Sequence, residues 1–154
     1  IDRVLFAATK ADHLHHTSHD RLEAALRLLT RRALARAQGA GSTLDVVALA
    51  AVRATREVEV RRGRDTLACI AGIPVAGERL GDEVFDGERE VALYPGDLPA
   101  SAVDLFDRSK PLEPVKFLRF RPPKPQYALG DIAAPLPHIR LDQALEFLMG
   151  DRLA

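Results

Sequence analysis

The chain of 154 residues has a single cysteine, Cys69. That count excludes an internal disulfide and a cysteine-built zinc site. Neither sign of charge is in excess: 22 lysines and arginines stand against 22 aspartates and glutamates. A strongly basic nucleic-acid binder and an acidic tail protein both fail to fit that balance. No apolar stretch reaches the length a bilayer demands, so no membrane insertion is expected. Nor does the beginning read as a secretory leader, because Asp2 and Arg3 precede only the short apolar run 4–8. The expected compartment is the cytoplasm. There is no internal repeat and no low-complexity tract.

What is present is apolar material enough, 47% of the residues, for one domain with a real core. Residues 4–8 (VLFAA) form a continuous apolar run, the pattern of a strand buried on both faces of a parallel sheet. Over 18–37, Leu22, Ala25, Leu26, Leu29 and Ala33 recur at helical spacing. Thr17 or Ser18 can cap that helix, and Gly39 and Gly41 can end it. Residues 44–52 (LDVVALAAV) are a second apolar run, which completes a right-handed βαβ unit with parallel strands. After Arg53 the pattern changes. Alternation at 57–60 and a strand-like run at 66–70 flank Arg62-Gly63-Arg64-Asp65 and predict a hairpin. The Gly-rich, acidic stretch 72–87 reads as loop, 90–94 as a strand, 100–106 as a short helix and 115–120 as a strand stopped by prolines. Leu141, Ala144, Leu145 and Leu148 mark a last amphipathic helix.

The first strand ends in Thr9-Lys10-Ala11-Asp12, and Ala51-Val52-Arg53 ends the second. In open α/β sheets ligands bind beyond the carboxyl ends of the strands, so the two loops are expected side by side. A carboxylate there accepts two parallel hydrogen bonds from a planar edge such as guanine N1–H and its exocyclic amine. Adenine offers an acceptor instead, which leaves the carboxylate unpaired. The stem of Lys10 can lie along a base face. A backbone N–H of Ala51 or Val52 can meet the guanine carbonyl.

A buried strand ending in Thr-Lys-x-Asp resembles the base-recognition motif of P-loop GTPases, usually Asn-Lys-x-Asp. Ala51-Val52-Arg53 resembles their second base loop, usually Ser-Ala-Lys. Two positions depart from the pattern. Thr9 stands for the usual asparagine, and Arg53, for the usual lysine, can stack on the base or pair with Asp12. Longer stretches, ATKADHLHHTSHDRLEA, ALAAVRATREV, FDGEREVALYPGDLP and PLPHIRLDQALEFLMGDRL, resemble the C-terminal part of the YcjX-like family of bacterial nucleotide-binding proteins with a Ras-like core.

That resemblance implies an α/β fold: the C-terminal half of a Ras-like P-loop NTPase parallel sheet, with a β-rich elaboration and a C-terminal helix. Residues 1–56 would belong to the NTPase core, 57–138 to the elaboration and 139–154 to a helix packing on the core. It also implies binding of GTP or GDP, or of ATP, with magnesium, and hydrolysis of the triphosphate in the intact protein. Thr9, Lys10, Asp12, Ala51, Val52 and Arg53 are the expected base-binding residues. No Gly-x-x-x-x-Gly-Lys-[Ser/Thr] occurs, so the phosphate cradle and magnesium hydroxyl are missing. The chain therefore reads as a fragment whose partner is the N-terminal half carrying the P-loop. It should be catalytically inactive alone, with no catalytic residue of its own. The rival reading is a protein-interaction module that binds an unknown protein and keeps a vestigial nucleotide site.

His13, His15, His16 and His19 crowd into seven residues. At helical spacing His15 and His19 would share a face and could chelate an ion, but zinc needs three or four ligands. The expectation is that these histidines are polar neighbours of the base site and that no metal is held.

Overall fold

The computed structural model describes residues 1–112, 114–124 and 136–152. β1 (Arg3–Ala8) is joined through α1 (His19–Gly39) to β2 (Thr43–Ala48). The strands pair in parallel, from Arg3 opposite Thr43 to Ala8 opposite Ala48. This is the predicted βαβ unit. β2 buries Val46, Val47 and Ala48, while β1 is half-buried along its length because this sheet has two strands among the described residues. β2 also stops at Ala48, short of the apolar run's end. Ala50 pairs instead with Ile139 in an isolated bridge, which turns the chain out of the sheet. Ser18 precedes α1, but its side chain does not cap the helix.

β3 (Arg56–Arg62) and β4 (Asp65–Gly72) form the predicted antiparallel hairpin. Its two-residue turn is Gly63-Arg64, and Gly63 sits at φ +66°, where a Cβ would be strained. Two short strands, β5 (Arg79–Leu80) and β6 (Glu83–Val84), make a small hairpin inside the stretch that reads as loop. Their brevity hides them, since two residues carry no alternation. β7 (Val91–Leu93) pairs with β4, so β4 lies between two neighbours. That central place explains why Cys69, Ile70, Ala71 and Gly72 are buried while β3 is mostly exposed.

The predicted short helix is a 3-10 turn, Ala102–Phe106. The predicted strand at 115–120 is extended but joins no ladder. It is tied by Lys116 N–H to Pro95 O, Val75 N–H to Arg119 O and Arg121 N–H to Ile73 O. Alternation survives without a ladder: Leu118 and Phe120 point inward, Phe117 and Arg119 outward. Pro74, opposite Phe120, has no N–H to continue one. Ile70, Phe85, Leu93, Leu118 and Phe120 form the core of this region. α2 (Leu141–Met149) lies against β1. Arg3 fastens it, donating to Phe147 O at 2.6 Å and pairing with Asp151 at 3.1 Å. No helix among the described residues is long and apolar enough to cross a membrane.

Candidate functional site

The turn after β1 brings its residues into two classes. Thr9 and Lys10 are exposed, and Lys10 takes a left-handed conformation at φ 60°, ψ 37°. Ala11 and Asp12 are buried in a 3-10 turn, Ala11–His13. The left-handed step is what turns the chain inward: Ala11 N–H reaches Leu49 O at 3.0 Å, and Leu49 N–H reaches Ala8 O at 2.9 Å. Those two bonds tie the loop after β1 to the loop after β2.

Asp12 makes the tie firmer. Its Oδ2 accepts the Ala54 N–H at 2.8 Å, and its carbonyl accepts the Thr55 hydroxyl. Oδ1 accepts nothing from the described residues. Ala51 and Val52 are exposed on the facing loop, and their N–H groups meet no acceptor among the described residues. This second loop is braced from behind: Ala50 exchanges hydrogen bonds with Ile139, and Arg53 N–H donates to Pro137 O at 2.7 Å. Glu23 of α1 accepts the Ala48 N–H at 2.7 Å and also pairs with Arg140.

Arg53 does not pair with Asp12. Its guanidinium donates to Thr55 O at 3.0 Å and lies 3.4 Å from Glu57. Beside it a cleft of about 400 Å³ runs between Arg53–Arg56, Ala71–Ile73 and Arg121–Lys124. Sequence reasoning did not find Ala54, Thr55, Pro137 or Ile139 as supports of the site. Their part is played by backbone groups or one hydroxyl, which carry no motif.

The histidines separate. His19 points inward, its Nε2 at 2.9 Å from Ala11 O, and so supports the first loop instead of joining His15. His13 packs edge-on against Phe120, ring centres 5.7 Å apart, and near Phe117 at 6.2 Å. Burial pushes its pKa below the ordinary 6.5; Asp12 opposes that and Lys10 adds to it. His16 turns outward to Glu57, with Nδ1 2.8 Å from Oε2 and its backbone N–H donating to Oε1 at 3.1 Å. Burial works to raise the Glu57 carboxyl, but the His16 hydrogen bond and nearby cations outweigh it and hold it below the ordinary carboxylate value.

Comparison with known proteins covers nearly the whole chain. The sequence model of the YcjX-like family, DUF463, matches residues 1–153. A protein of Escherichia coli (strain K12) named Ras-like GTPase YcjX is 36% identical over 157 residues, covering 99% of this chain. A protein of the same name from Shewanella oneidensis is 27% identical over 154 residues, again 99% of this chain. The chain spans 29% of the length of each of these relatives.

Proposed function

The chain belongs to the YcjX-like family, and from that premise we propose that it carries the base-recognition half of a guanine-nucleotide site in a Ras-like GTPase. The observation that carries the reading is the pairing of two loops. Asp12 offers Oδ1 on one, and Ala51 and Val52 offer N–H groups on the other. A guanine edge complements that set: its N1–H and amine donate to the carboxylate, and its carbonyl accepts from the N–H pair. Adenine would leave both sides unmatched. Lys10, exposed at the tight turn, supplies an alkyl stem to cover one face of the base. Arg53 stands beside this set, held by Thr55 and Glu57.

The residues present fit a base but not the phosphates or magnesium, for which this sequence contains no Gly-x-x-x-x-Gly-Lys-[Ser/Thr] loop. Triphosphate hydrolysis therefore belongs to the longer protein, and the 154-residue chain alone is expected to turn over neither GTP nor ATP. The test is binding of labelled GDP and ADP to the full-length protein. A preference for GDP of roughly a hundredfold or more is expected from the unpaired carboxylate that adenine would leave. Equal affinities would refute the assignment of Asp12.

One observation favours the second reading, an interaction module with a vestigial nucleotide site. Val103, Phe106 and Phe117 are 62%, 48% and 64% exposed on the elaborated region. Full-length protein that binds neither nucleotide would support it.

A further inference from the structure

One cluster of ligating side chains lies outside the proposed base contacts. We propose that His15, His16 and Glu57 form a binding site for one divalent transition-metal ion, with zinc as the best match. Their ligand atoms all lie within 4.8 Å of one another. In a tetrahedral zinc site, bonds of about 2.0–2.2 Å to imidazole and carboxylate place two ligand atoms about 3.3–3.6 Å apart. The His16 side chain is 63% exposed, which leaves it room to turn toward that spacing.

The surroundings orient the ligands. Thr17 meets His15 Nδ1 through its hydroxyl at 3.1 Å and its backbone N–H at 3.5 Å; an ion on Nε2 would put the ring proton on Nδ1, where it donates to Thr17 Oγ1 in place of the longer N–H contact. Such a partner on the far ring nitrogen is the usual support of a metal-bound imidazole. The two rings are neighbours, with centres 4.3 Å apart. Glu57 divides its oxygens. Oε1 takes the His16 N–H at 3.1 Å and the Arg53 guanidinium at 3.4 Å, while Oε2 faces the His16 ring. The cation Arg53 thus sits on the oxygen that the metal does not need. On binding, the ion replaces the proton shared between His16 Nδ1 and Glu57 Oε2, and that proton leaves to solvent. Imidazole and carboxylate together suit zinc, and three protein ligands leave a fourth position for water. Because His15 and His16 follow β1 and Glu57 is the second residue of β3, the ion would clamp the two loops from outside. The proposal does not depend on which base, if any, those loops hold.

The probe is zinc alone, titrated calorimetrically into full-length, nucleotide-free protein stripped with chelator. Cobalt substitution serves as the spectroscopic readout. One site of micromolar or tighter affinity is expected, with visible cobalt bands of a low-coordinate nitrogen–oxygen site. His16→Gln and Glu57→Gln should each weaken it by at least about tenfold. Both keep size and leave buried His15 untouched, and circular dichroism checks that they fold. Asp142→Asn, beside His138, should leave the affinity unchanged. No zinc site of micromolar affinity, or one that both variants leave unchanged, overturns the proposal.

Discussion

Asp12→Asn separates two jobs that the proposed base site gives to one side chain. In the structure Oδ2 accepts the Ala54 N–H at 2.8 Å, which pins the second loop, and in the proposed site Oδ1 meets the base. Asparagine keeps an oxygen for Ala54 and must then present its amide N–H₂ where Oδ1 stood. Guanine brings two donors to that edge, so donor meets donor at one bond and the other loses its charge assistance. A hydrogen bond to a charged group contributes about 1.5–3 kcal/mol, so the combined loss is about 3 kcal/mol, or roughly 150-fold in Kd. Xanthine carries a carbonyl in place of the guanine amine, and should recover part of that loss. Stability should hardly change, because the Ala54 bond survives. Asp12→Ala is the contrast: it strands a partly buried N–H, which costs about 1–3 kcal/mol and lowers the melting temperature as well. Calorimetric titration of full-length protein with GDP, ADP and xanthosine diphosphate, beside thermal melts, measures all of this. A GDP affinity within about twofold of wild type in Asp12→Asn would show that the carboxylate does not face the base.

Three further outcomes follow from the packing and the charges. Gly72→Ala would place a Cβ 2.8 Å from Phe120 Cδ1 and 3.1 Å from Ala54 O, so a cost of about 1–3 kcal/mol in stability is expected, with weakened GDP binding because Ala54 must shift. Chemical denaturation and GDP titration read both. Leu118 is 2% exposed in the β-rich core, and Leu118→Ala should cost about 2–5 kcal/mol by denaturant unfolding, with no change in base preference. His13 has its pKa lowered by burial, so it binds fewer protons folded than unfolded near the ordinary 6.5. Its stabilisation is complete above that value and declines as pH falls through the folded pKa, by at most about 1.4 kcal/mol per pH unit. Melting curves between neutral and mildly acid pH should show that slope, and His13→Gln should flatten it; an equal slope in both proteins would show that another group carries the titration.

Much of this molecule is decided locally and was legible in the chain. The apolar runs around Leu5 and Val46, separated by an amphipathic helix, require a parallel crossover. Alternation around Val58 and Ile70 with Gly63 between them requires a hairpin. The Thr9–Asp12 and Ala51–Arg53 stretches stood out because a motif keeps its residue types in order. The family was legible for the same reason.

Other properties depend on partners far apart in sequence, and only the tertiary structure decided them. Periodicity cannot say that Ala50 leaves the sheet to bridge Ile139, or that Pro74 meets Phe120 without extending a ladder. Nor can it say that Oδ2 of Asp12 belongs to Ala54 while Arg53 turns to Glu57. The histidines make the same point. Sequence spacing pairs His15 with His19, which requires one continuous helix. The chain instead makes a 3-10 turn, His16–Ser18, before α1 begins. That turn sends His19 inward to Ala11 O and His16 outward to Glu57, 41 residues away. Local pattern determines which elements form; the packing of elements against one another determines which polar atoms are already engaged and which remain to meet a ligand.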